Sequence, residues 1–137
     1  MRRFVILAVF VLAAAAMAVP VAWAGSPHFV SVDVTRIGDS LLVEGKEAGL
    51  GNETQVHIEV RATAECINPG EHHPKAANKE DASADGDFPV QNGKANFSLT
   101  LTAEISPKCS PPMTIRWSNV EVEDTAHEVV KQLPGTF

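Results

Sequence analysis

Three short stretches of this chain carry side chains that could do chemistry. Gly38-Asp39-Ser40-Leu41 offers a serine behind an acid, and Asp124-Thr125-Ala126-His127 offers a histidine with a carboxylate three residues before it. A serine nucleophile needs a base oriented by a carboxylate, so Ser40, His127 and Asp124 have the right types. Cys66-Ile67-Asn68-Pro69-Gly70-Glu71-His72-His73-Pro74-Lys75 sets two histidines beside a cysteine, the raw material of a zinc or copper centre. Asp81-Ala82-Ser83-Ala84-Asp85-Gly86-Asp87 places oxygen donors at alternate positions, which calcium could use.

Each stretch also has a plainer reading. Gly38-Asp39-Ser40-Leu41 resembles the nucleophile block of the GDSL esterases and lipases, and the Asp124/His127 spacing is similar to that family's C-terminal block. The resemblance implies a serine that follows a strand and opens a helix. Here Ser40 lies between two alternating apolar runs, where Gly38-Asp39 reads as a Gly-first hairpin turn of type II′. The family's Asn-bearing middle block has no counterpart.

Asp81, Ser83 and Asp85 match ligand positions 1, 3 and 5 of an EF-hand loop, with Gly86 at the turn and Asp87 beside it. Position 12 falls on Asn92, not on a bidentate glutamate. His72 and His73 are adjacent, so in an extended segment their rings point apart, and no H-x-H, H-x3-H or C-x2-C spacing occurs. These residues are therefore expected to form a solvated loop. Calcium or a transition metal on Asp81, Ser83, Asp85 and Asp87 or on the histidine pair is the alternative.

The elements that position these residues follow from composition and periodicity. Met1-Arg2-Arg3 precedes an apolar run from Phe4 to Ala24 that closes on Ala22-Trp23-Ala24, the pattern of a secretory signal peptide over 1–24. A run of about twenty apolar residues could also anchor in a bilayer, but Pro20, the alanines and the A-x-A ending favour cleavage. Gly25 to Phe137 then forms a single domain.

With 11 basic and 17 acidic residues in the full chain, the domain after Ala24 carries a net charge of about -8. Such a surface repels phosphate backbones and excludes nucleic acid as a partner, and no basic amphipathic helix suits it to a membrane surface. Two cysteines in an oxidising compartment predict one disulfide, Cys66 to Cys109. A chain-entropy argument credits that closure with about 4 kcal/mol. A cysteine so bonded is neither a nucleophile nor a metal ligand.

Helical periodicity is nearly absent, and strand alternation is plain. From Gln55 to Cys66, Val56, Ile58, Val60, Ala62 and Ala64 share a face with the cysteine, while His57, Glu59 and Arg61 share the other. Lys94 to Ala103 repeats the pattern. Met113, Ile115 and Trp117 have one parity and Val120 and Val122 the other, which predicts a bulge at Ser118-Asn119. Asn92-Gly93 marks a hairpin, and Pro89 an edge strand. With strands over His28–Ile37, near Leu41 to Gly45 and near His127 to Leu133, the total is about seven. That predicts an antiparallel, immunoglobulin-like β-sandwich, with a small barrel as the alternative. Ile67 to Gly86 reads as a polar loop of about twenty residues, a length more often functional than structural.

The phrases Cys66-Ile67-Asn68-Pro69-Gly70, Gly86-Asp87-Phe88-Pro89-Val90-Gln91-Asn92-Gly93-Lys94-Ala95 and Cys109-Ser110-Pro111-Pro112-Met113, with the residues between them, resemble a group of small secreted actinobacterial proteins. The resemblance spans roughly Lys46 to His127 and implies export and a shared architecture around the two cysteines. It implies no activity. The expectation is a secreted, non-enzymatic binding module without a cofactor. It would meet an extracellular protein or glycan through a loop bearing Glu71, His72, His73, Lys75 and Lys79. The Asn52 and Asn96 sequons are expected to be unmodified in a bacterial host.

Overall fold

A computed structural model describes residues 25–70 and 78–137. The expected signal peptide and the loop residues Glu71, His72, His73 and Lys75 lie outside the described residues. The rest is all-β: β1 (His28–Ile37), β2 (Ser40–Ala48), β3 (Gln55–Ile67), β4 (Lys79–Gln91), β5 (Lys94–Thr102), β6 (Thr114–Asp124) and β7 (Val129–Thr136). Every pairing is antiparallel, in the order β1-β2-β5-β4-β3-β6-β7.

β1, β2 and β5 form one layer of a sandwich; β4, β3, β6 and β7 form the other. The expected all-β fold of seven antiparallel strands in a sandwich-like arrangement is thus present, with one difference. The β4-β5 hairpin pairs Val90 with Ala95 and Gln91 with Lys94, so the two layers are one seven-stranded sheet folded over, nearly a closed barrel.

The local chemistry explains the turns. Asn92 and Gly93 have φ of 52° and 72°, the left-handed pair that a type I′ hairpin requires. Gly38 has φ 61° in the two-residue turn that leaves Ile37 paired with Ser40. The predicted bulge is present as well: the β6-β7 register shifts between Ser118 and Val120, and Asn119 lies at φ 52°. The extra residue lets both Trp117 and Val120 point inward.

The core lies between the layers. β2 contributes Leu41 and Val43, β3 Val56, Ile58 and Val60, β5 Phe97 and Leu101, and β6 Trp117, Val120 and Val122. Phe97 meets Phe29 edge-on at 5.9 Å between ring centroids and Phe88 at 6.1 Å. Gly45 leaves the space that the Phe97 ring fills, since a Cβ there would stand 2.6 Å from the Ser31 carbonyl oxygen. Trp117 is fully buried, and its indole N–H donates to the Asp39 carbonyl at 3.2 Å, tying β6 to the β1-β2 turn.

The twenty-residue loop is corrected. β4 begins at Lys79 and pairs with β3 from Lys79/Glu65 through Pro89/Gln55. Asp81, Ser83, Asp85 and Asp87 therefore occupy a strand, as does Lys79. The polar alternation was real, but aspartate and serine are poor strand formers; pairing with the apolar β3 overrides that preference.

Candidate functional site

Functional side chains gather in three places, and the fold separates them. At one end lie the cysteines. Cys66 is buried near the end of β3, paired in register with Ile115, and Cys109 lies in the β5-β6 connection. The two stand 2.5 Å apart. As a thiol, Cys66 has its pKa pushed up to about 12, first by burial and then by its hydrogen bond to Cys109. A thiol so raised is no nucleophile at neutral pH. Beside Cys109 opens a cleft of about 660 Å³ lined in part by Asp39, Ile105, Lys108 and Ile115.

The second place is the outward face of β4, β3 and β6. Extended backbone sends alternate side chains to one side, so Asp81, Ser83, Asp85 and Asp87 form a single exposed row. They are strung along a strand, about 6.6 Å per step, and do not wrap around a point as EF-hand ligands must. Among the described residues no three of histidine, cysteine, aspartate or glutamate converge to hold a metal ion. The expected solvated loop is thereby replaced by a charged strand face.

His57, opposite Asp87, spans the row. Its Nδ1–H donates to Asp87 Oδ1 at 2.7 Å, and Nε2 lies 3.3 Å from Asp85 Oδ2. The bond to Asp87 raises the His57 pKa above its ordinary value. Thr63 donates to Asp81 at 2.8 Å. Farther along β3, the Arg61 guanidinium bonds Glu59 through Nε at 2.9 Å and Glu123 through Nη1 at 3.0 Å, with Glu121 at 3.7 Å. Lys79, expected in the binding loop, instead pairs with Glu65 at 2.8 Å. That bond lowers the Glu65 pKa.

The third place lies at the opposite end from the cysteines and gathers more acids than the Asp124/His127 spacing foretold. Asp124 ends β6 with no exposed surface; its Oδ1 accepts the backbone N–H groups of Ala126 at 3.0 Å and His127 at 3.3 Å, capping the β6-β7 turn. His127 Nδ1–H donates to Asp124 Oδ2 at 2.5 Å, and Nε2–H donates to Glu53 Oε1 at 2.7 Å. Both bonds raise the His127 pKa, the one to Asp124 more strongly.

From the other layer, β2 directs Glu47 at the same spot, fully buried. As a carboxylate, Glu47 has no donor for either oxygen; as an acid, it can donate its proton to Asp124. Burial, then Asp124, pushes its pKa up to about 8. Glu47 therefore bridges the layers as a neutral acid at neutral pH.

This geometry does not assemble the serine nucleophile. Ser40 opens β2 at the cysteine end, seven residues and roughly 23 Å of strand from Glu47, which marks the Asp124/His127 end. Both imidazole nitrogens are also engaged by carboxylates. Asp124 and His127 do form the pair that their spacing suggested, but as a structural cap.

Sequence reasoning missed Glu47, Glu53 and the burial of Asp124. One signal was available. Leu41, Val43, Gly45 and Glu47 share a parity, as do Val120, Val122 and Asp124, so two acids stand on core-facing positions.

No protein-family model matches the chain, and no match was found among curated proteins or solved structures.

Proposed function

We propose that this protein is a secreted, non-enzymatic binding module, stabilised by a Cys66-Cys109 disulfide, that engages a cationic extracellular polypeptide through the outward face of β4, β3 and β6. One observation carries the reading. Asp81, Asp85, Asp87, Glu59, Glu65, Glu121 and Glu123 share that face, against Lys79, Arg61, Arg116 and His57. Arg61 is already committed to glutamates, and His57 to Asp85 and Asp87. The face keeps a negative excess on a rigid sheet, an arrangement that steers and orients a positively charged partner. The separation of Ser40 from His127 and the capped state of both imidazole nitrogens support the non-enzymatic part.

Titration of a lysine-rich peptide, followed by calorimetry, tests the proposal. Binding should weaken steeply with salt and fall at least tenfold in the Asp81→Asn/Asp85→Asn/Asp87→Asn variant, whose positions are exposed. Equal affinity of the variant and the parent would sink it. Tight binding of a neutral cell-wall oligosaccharide, indifferent to the variant, would replace the polypeptide with a glycan.

A further inference from the structure

The long side of β4 has one neighbour. β3 pairs with it from Lys79 to Pro89, whereas β5 pairs with it only at Val90 and Gln91 before turning into the other layer. Among the described residues no strand covers the second edge from Lys79 to Pro89.

The register says which groups face that edge. Val90 N–H donates to the Thr54 carbonyl at 3.0 Å, so the even-numbered residues of β4 hold the hydrogen-bonded sites toward β3. The odd-numbered ones, Asp81, Ser83, Asp85 and Asp87, point their N–H and C=O groups away from it. Pro89 falls on the same set, and its missing N–H costs no ladder bond there.

The acidic side chains therefore stand on the same residues as the unpaired backbone groups. On the inner side, Ala82, Ala84 and Gly86 are small. Gly86 faces Leu99 of β5 across the opening, close enough that a Cβ would lie 3.6 Å from Leu99 Cδ2. Ala84, Phe88 and Leu99 are only partly buried. The seam between the layers is a shallow apolar mouth beneath an acidic, hydrogen-bond-ready edge.

We propose that β4 accepts an added strand: an extended segment of a partner polypeptide, alternating cationic and apolar residues, pairs along Lys79 to Asp87. This rests on the acidic-face reading above and specifies how the partner is held. Backbone bonds to the odd-numbered residues supply the attachment, lysines or arginines on the outer side meet Asp81, Asp85 and Asp87, and apolar side chains on the inner side cover Ala84, Phe88 and Leu99.

A second copy of this chain is the wrong occupant. Antiparallel self-pairing centred on Ser83, Ala84 or Asp85 sets aspartate opposite aspartate, and like charges directly opposed are destabilising.

The test uses the ¹⁵N-labelled protein and three peptides of equal charge: alternating L-lysine and L-valine, the same peptide N-methylated at every second residue on its pairing edge, and an alternating-chirality version that cannot form a strand. The proposal expects the first to protect the amides of Asp81, Ser83, Asp85 and Asp87 from exchange, and the other two to bind at least tenfold more weakly. If all three bind equally without new protection at those amides, strand addition is wrong and the acidic-face reading stands. If none binds, both fall.

Discussion

Glu47 and Asp124 are carboxyls with no exposed surface that reach each other from opposite layers of the sandwich, and burial, then Asp124, pushes the Glu47 pKa up to about 8. The proton on Glu47 is what makes the contact attractive. Asp124 already accepts hydrogen bonds from two backbone amides and His127.

The pH dependence of stability follows from that pair. Glu47 keeps its proton to about 8 in the folded chain but loses it near 4.5 when unfolded. The folded state binds the extra proton between those limits, so stability falls as pH rises through the window, by about 1.4 kcal/mol per pH unit from this group. Glu47→Gln removes that slope. Thermal melting from pH 4.5 to 8.5 should show the variant nearly equal to the parent at the acid end and progressively more stable toward the alkaline end. Parallel curves would refute the assignment.

His127 acts in the same direction. Its raised pKa means that the imidazolium between Asp124 and Glu53 stabilises the fold fully below its unfolded value, and that this contribution fades as pH rises through the folded value. His127→Ala strips the ring from a buried carboxylate, and a loss of about 2 to 4 kcal/mol is expected at pH 6 by urea denaturation. The loss should be smaller at pH 9.

Cys66 and Cys109 stand 2.5 Å apart, and the proposed disulfide joins them. Mass spectrometry should find a chain two mass units lighter than its dithiol, with no thiol reactive to Ellman's reagent in denaturant. Cys109→Ala should cost roughly 4 kcal/mol, the closure entropy of the intervening loop. In that variant Cys66 should resist alkylation at pH 8 until the protein unfolds, because it is buried.

Gly45 is a packing position on β2. Gly45→Ala would ordinarily favour a strand, yet its Cβ would press on the Ser31 carbonyl and the Phe97 ring. A destabilisation of about 1 to 3 kcal/mol is expected from the urea midpoint. Gly38→Ala, at φ 61° with nothing near its Cβ, should be costly only through backbone strain.

Much of this architecture was legible in the residues. Alternation from Val56 to Cys66 and from Phe97 to Leu101 names core faces directly, because a strand sends every second side chain to the same side. Asn92-Gly93 and Gly38-Asp39 name their turns because few residues tolerate positive φ. The parity change between Trp117 and Val120 names a bulge.

β4 was not legible, because Asp81 to Asp87 has the composition of a loop and becomes a strand only beside β3. The candidate site was harder still, since Glu47, Glu53, Asp124 and His127 come from two layers and two connections.

The sequence by itself determined the all-β class, the turn positions, the acidic balance and which faces of β3, β5 and β6 turn inward. Those are local properties, set by backbone sterics and a period of two. Only the tertiary structure decided that the two layers join through the β4-β5 hairpin, that Ser40 lies a strand's length from His127, and that a buried glutamic acid meets a buried aspartate. Each of these depends on which distant residues share a neighbourhood, and a carboxyl takes its charge from that neighbourhood.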